Sequence, residues 1–173
     1  MLKPWLPLIE HTRELSVGDI PAFARAQCGP ILRRAGITTQ FTLATALEGW
    51  RCLEVEPEAP TLAMLWHNPT LAGPEIQECL AELFGALELP MPFQFLNSQP
   101  TLIGPAAAQT LPGLVHLACL PHATRDPADL LPSLAHRRPW THALLGNLHT
   151  PMAPQENATP FRARWTLYER PRL

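Results

Sequence analysis

Residues 61–89 read TLAMLWHNPTLAGPEIQECLAELFGALEL. The first six, Thr61 to Trp66, are a short apolar run bounded by turn residues, the pattern of a strand buried on both faces. Pro74 and Glu75 then open a helix, since proline suits a first turn and an acidic side chain suits the positive helix end. Ile76, Cys79, Leu80, Leu83, Phe84 and Leu87 recur at i, i+3, i+4, i+7, i+8 and i+11. That stripe predicts a helix over 74–89 with one face on a core, and Pro90 and Pro92 stop it. A buried strand followed by an amphipathic helix is the repeating unit of a layered α/β domain.

The flanking sequence extends the alternation. Ser16 to Gln27 predicts a short helix, with Ser16 or Asp19 as cap, Pro21 in the first turn and Gly29-Pro30 ending it. Thr38 to Trp50 predicts a second helix, capped by Thr38 or Thr39. Downstream, Phe93 to Thr101 is irregular, Ile103 to Thr110 reads as a weak helix and Gly113 to Leu120 as a second buried strand. Asp126-Pro127 opens a helix running to about Ala135, weakened by Pro132. Thr141 to Leu145 is a third strand, closed by Gly146-Asn147, and Pro151 to Pro160 is a loop. Arg162 to Glu169 alternates Ala163, Trp165 and Leu167 with Arg164, Thr166 and Tyr168, a half-buried strand expected at a sheet edge.

At 173 residues one domain is expected, with residues 1–30 the least certain part of it. The net charge of −2 lacks the basic surface of a nucleic-acid binder, and the pairs Arg33-Arg34 and Arg137-Arg138 are too brief to change this. The 21 prolines mostly stand singly between apolar runs, as loop punctuation does. Met1 to Glu14 carries Lys3 and is broken by Pro4 and Pro7, so it does not read as a signal peptide, and no run reaches membrane-span length. A cytoplasmic protein is expected. Cys28, Cys52, Cys79 and Cys119 are widely spaced, which predicts reduced, mostly buried thiols.

Cys119 is the candidate nucleophile. It stands near the end of an apolar strand, before Pro121 and a helix, and strand-to-helix turns expose nucleophiles near a helix N-terminus. The competing reading is a buried strand cysteine. His116, Cys119 and His122 also form a His-x2-Cys-x2-His triplet with the look of metal ligands, but residues three apart on a strand face opposite ways. His11, His67, His136, His142 and His149 are scattered and read as structural or surface groups. No glycine-rich phosphate loop, nucleophile elbow or zinc-protease motif is present, and no cofactor or metal is implied.

Three stretches carry a family resemblance. Arg33-Arg34-Ala35-Gly36 with the following helix is similar to an early "RRMSRLTQLALAAA" helix. Pro92-Phe93-Gln94-Phe95-Leu96-Asn97-Ser98-Gln99-Pro100, then Gly104 and Ala106 to Ala108, is similar to "P-x-x-F-x-N-S-x-P-N-x-A-A-G". Leu117-Ala118-Cys119, Asp129-Leu130-Leu131 and Ala143-Leu144-Leu145-Gly146 follow a "T-A-C-A-S-G…G-x-x-D-x-A-L-A-G" run. In this order they resemble β-ketoacyl synthases, especially the short β-ketoacyl synthase-like N-terminal domains of the thiolase-like superfamily. The resemblance covers about two-thirds of the chain, from about Ile31 onward.

It implies a thiolase-like half-domain, α/β, with a mixed sheet flanked by helices. It places Cys119 where the family's acyl-accepting cysteine sits. Small residues and a glycine follow that cysteine in the family, whereas Leu120, Pro121 and His122 follow here. The family's two catalytic histidines lie in a C-terminal half with no counterpart in this sequence. The implied protein is a degenerate accessory subunit of fatty-acid, polyketide or aryl-polyene synthesis; the alternatives are an acyl-accepting cysteine subunit completed by a partner chain and a non-enzymatic interaction domain. Its implied partners are a ketosynthase subunit and an acyl carrier protein, in a homo- or heterodimer.

Overall fold

The computed structural model describes residues 4–53, 58–86, 103–120, 126–151 and 159–171. Its strands are β1 (Leu6–Leu15), β2 (Leu62–His67), β3 (Leu114–Leu120), β4 (His142–His149) and β5 (Phe161–Glu169). Its helices are α1 (Ile20–Cys28), α2 (Ile37–Arg51), α3 (Gly73–Ala81), α4 (Ile103–Thr110) and α5 (Pro127–Leu134). Among the described residues the strands form one sheet in the order β1-β5-β4-β2-β3. The β3-β2-β4 pairs are parallel, and β5 runs antiparallel to both β4 and β1. The fold is therefore α/β with a mixed sheet, as the sequence predicts.

The sheet has two apolar faces. On one, Leu62, Met64, Trp66, Leu144, Leu148 and Trp165 pack beneath α1, α2 and α4. On the other, Ala63, Leu65, Ala143 and Leu145 pack with Leu131 and Ala135 at α5. This two-sided burial is why β2 reads as a continuous apolar run. Helix α2 is buried nearly all round, between the sheet and α1. Its hydroxyls are satisfied locally: Thr42 donates to the Thr38 carbonyl at 2.7 Å and Thr45 to the Phe41 carbonyl at 2.8 Å.

Four expectations need correcting. Residues 6–15, for which no element was expected, form a ten-residue strand, and β1 rather than β5 is the edge strand on that side of the sheet. The inward positions of β1 include His11 and Arg13, which hide the apolar alternation. The third strand does not close at Gly146 but runs on to His149. Gly146 lies inside β4 because Trp165 crosses it: a Cβ there would lie 2.4 Å from the indole ring.

The predicted 74–89 helix is α-helical only to Ala81, then passes through a wider turn at Glu82–Ala86 whose i+5 spacing leaves the α register. Only Pro74, Glu75 and Cys79 of its start are buried, whereas Leu80, Leu83 and Phe84 are exposed. Leu87 and the segment Phe93–Thr101 lie outside the described residues. Finally, neither Thr38 nor Thr39 caps α2 by its own side chain; Gly36 is the cap residue. Asp126, by contrast, caps α5 as expected, accepting from the Ala128 N–H at 2.9 Å.

Candidate functional site

The connections around the parallel strands define where a site belongs. The chain leaves β2 toward α3 and α4, on the α2 side of the sheet, and α5, which follows β3, lies on the opposite side. Adjacent parallel strands whose connections diverge open a crevice at their carboxyl ends, the usual place for a ligand in an open α/β sheet. Here those ends are Trp66-His67 of β2 and Cys119-Leu120 of β3, with Trp66 and Cys119 paired in register.

Cys119 faces the α2 side, where it joins the main core. With Thr38, Thr39, Trp66, Asn68 and Ile103 it lines a cavity of about 20 Å³. That is room for about one water molecule, against the few hundred Å³ of a ligand pocket. Burial pushes the Cys119 thiol up to about 11. At neutral pH it is therefore protonated and weakly nucleophilic. Burial also raises the thiols of Cys28 and Cys79, in the latter case with help from Glu82, Glu78 and Glu75.

Two polar arrangements frame this cavity. In the turn after β2, the buried Asn68 donates through Nδ2 to the Leu71 carbonyl at 2.6 Å and to the Thr150 hydroxyl at 3.1 Å. Thr70 donates to the Thr150 carbonyl at 2.6 Å, so the exits of β2 and β4 are locked together. At the start of α2, the Thr38 N–H donates to Glu75 Oε1 at 2.7 Å and the Thr38 hydroxyl to Glu75 Oε2 at 2.8 Å. A thiolate at Cys119 would draw on such a helix N-terminus, but the Glu75 carboxylate already takes the Thr38 donors. Glu75 was legible only as a helix-opening acid. Its partner is 37 residues away, a distance no local pattern spans.

His116 and Cys119 do not converge. His116 packs on Trp140 with ring centres 4.7 Å apart, and its Nδ1 accepts from Arg138 at 3.2 Å. Burial, with Arg138 adding to it, lowers the pKa of His116. His122 lies outside the described residues. His67 ties the ends of β2 and β3: its Nδ1–H donates to the Leu120 carbonyl at 2.7 Å, which leaves Nε2 as an acceptor. His67 also borders a more polar cavity of about 460 Å³ with Glu10, Asp126, Asn147, Arg164 and Tyr168. Burial raises the Tyr168 phenol, and Asp126 and Glu10 raise it further.

No helix among the described residues is long and apolar enough to cross a membrane. Neither the protein-family models nor the curated proteins compared with the chain match it. A solved structure does: "Ketosynthase (ApeO) in Complex with its Chain Length Factor (ApeC)" from Xenorhabdus doucetiae. The likeness has a TM-score of 0.62 at 10% identity, over 98% of this chain and 80% of that one. At that identity it speaks to the fold, and the fold of this chain is ketosynthase-like.

Proposed function

We propose that this chain is an accessory subunit of a ketosynthase in fatty-acid, polyketide or aryl-polyene synthesis, and that it does not condense acyl chains itself. The observation that carries this reading is the state of Cys119. Its thiol is pushed up to about 11 and opens on a cavity of about 20 Å³, too small for an acyl chain. The ketosynthase-like fold supports the pathway class, and a likeness to a chain from a two-subunit complex supports a paired assembly.

The sheet edges support pairing through β3. The β1 edge carries Pro7, an irregularity between Pro7 and Ile9, and the charged side chains Glu10, Arg13 and Glu14. These features discourage strand addition. β3, Leu-Val-His-Leu-Ala-Cys-Leu, has no Asp, Glu, Lys or Arg and leaves Val115 exposed. An apolar edge of this kind, uncharged along the strand and unpaired on its outer side among the described residues, accepts a partner strand.

The position of Cys119 at the diverging ends of β2 and β3 favours a second reading. There, Cys119 accepts an acyl group once a partner chain opens and completes the site. One experiment addresses both. The chain, alone and co-purified with a ketosynthase, is mixed with acyl- and malonyl-loaded carrier protein, and β-ketoacyl product is followed by mass spectrometry. No product from the chain alone, and product from the pair, is the expected result. Product from the chain alone would overturn the accessory reading. An acyl mass on Cys119 in the pair, absent in Cys119→Ala, would select the second reading.

A further inference from the structure

Away from the carboxyl ends of the sheet, β1 and the end of α2 bring together a thiol, an imidazole and a carboxylate. Cys52 caps the C-terminus of α2 and is exposed. Its Sγ lies 3.6 Å from His11 Nδ1, within reach of a sulfur hydrogen bond. His11 Nε2 lies 2.7 Å from Glu48 Oε2. Arg13 holds the same carboxylate from the other side, donating through Nε to Oε2 at 3.0 Å and pairing through its guanidinium with Oε1. Arg13 is itself stacked 4.9 Å over the Phe23 ring. Close packing sets the spacing: a Cβ on Gly49 would lie 3.6 Å from the His11 Cβ and 3.3 Å from the Trp165 Cβ.

The carboxylate fixes the tautomer. Glu48 is an acceptor, so Nε2 carries the hydrogen and Nδ1 presents its lone pair to the Cys52 thiol. A nucleophile, a base in reach of it and a third group orienting the base make up the arrangement by which enzymes activate thiols. We propose that Cys52 is a nucleophilic thiol, assisted by His11 and Glu48, that accepts an acyl group from a thioester.

In that step, Cys52 Sγ–H gives its proton to His11 Nδ1 as the sulfur attacks the thioester carbonyl. The new carbon–sulfur bond forms to Cys52, and the bond to the leaving sulfur breaks. His11 then returns the proton to the departing thiolate, giving S-acyl-Cys52 and a free thiol with no change of oxidation state. The choice of a thioester rests on the function proposed above; the activated thiol rests on geometry alone. Among the described residues, Glu48 and Arg13 are the charged groups bonded into this arrangement, and Arg51, next to Cys52 in the chain, is engaged with Gln27. The helix C-terminus at Cys52 disfavours an anion, so activation falls to His11.

The test uses iodoacetamide and a small acyl N-acetylcysteamine thioester on the full chain, with peptide mapping. Cys52 is expected to alkylate faster than glutathione and faster than the same cysteine in denaturant, and His11→Gln is expected to slow it by about tenfold or more. The thioester is expected to add one acyl mass that persists in Cys119→Ala and disappears in Cys52→Ala. Alkylation no faster than in the unfolded chain, or at the wild-type rate in a folded His11→Gln, would overturn the activated thiol. Fast alkylation without acyl transfer would overturn the choice of thioester. None of these results depends on pairing with a ketosynthase, which the condensation experiment reads separately.

Discussion

The Glu75 carboxylate accepts from both the backbone N–H and the hydroxyl of Thr38, at 2.7 and 2.8 Å, and so caps α2 from α3. The approach needs Gly36, where a Cβ would lie 2.5 Å from Glu75 Oε1. Burial raises the Glu75 carboxyl, and the Thr38 hydrogen bonds only partly oppose that shift. A raised folded value means that the native state binds the proton more tightly than the unfolded chain. The contribution of Glu75 is thus fully present below the ordinary value of 4.5 and is lost as pH rises through the folded value. Wild-type stability relative to Glu75→Gln is expected to grow as pH falls from neutral toward 4.5, read from urea melts at several pH values. Glu75→Ala leaves the Thr38 donors buried and is expected to cost about 1–3 kcal/mol.

Gly146 and Trp165 give a second prediction. They pair across β4 and β5, and Trp66 pairs with Gly146 from β2. The indole lies over the glycine and donates from Nε1 to the Thr45 hydroxyl at 2.9 Å, pinning α2 to the sheet. Gly146→Ala drives a methyl into that ring and is expected to destabilise by about 1–3 kcal/mol. Thr45→Val strands the buried indole N–H, at a similar cost of about 1–3 kcal/mol. Urea midpoints and near-ultraviolet circular dichroism measure both changes.

A third prediction concerns alkaline pH. Cys119 rises from the ordinary 9.0 to about 11 because burial penalises its thiolate. Its contribution to stability is present below 9 and is lost between 9 and 11, as the unfolded chain gains by ionising first. Stability should decline less over that window in Cys119→Ala than in wild type. The alkylation rate at Cys119 should keep rising past pH 9 instead of levelling there.

The sequence made β2 and β4 legible because burial on both faces leaves continuous apolar runs; β3, expected to be buried, is an apolar strand but only part-buried, with Val115 exposed at the edge. The caps at Gly29 and Asp126 marked helix boundaries, since backbone geometry and side-chain chemistry are local there. What it concealed is non-local. No strand was expected over β1 because its inward residues include His11 and Arg13, whose polar groups are engaged by Glu48 on α2. The same contact brings Cys52 to His11 across 41 positions, so a thiol expected to be buried proves exposed and paired. The 74–89 stripe promised a core face, but only the part touching α2 has one. Cys119 was legible as a position at the end of a strand. Its closed surroundings were not, because Thr38, Asn68 and Ile103 come from three other elements.

The β3 edge gives the last prediction. Pairing there would extend the sheet through backbone hydrogen bonds, with Val115 as an apolar contact beside them. A charge at the edge is the device by which sheets prevent such addition. Val115→Lys is therefore expected to weaken association with a ketosynthase by at least about tenfold in Kd. Its exposed side chain should leave the urea midpoint of the isolated chain nearly unchanged. The matching change on the other edge, Leu8→Lys, alters a similarly exposed side chain (44% against 54% for Val115) on a strand already guarded by charge and should leave Kd as it is. Analytical ultracentrifugation and surface plasmon resonance on the two variants separate the edges. A Leu8→Lys loss with Val115→Lys intact would move the interface to β1, where a partner would have to accommodate Glu10, Arg13 and Glu14.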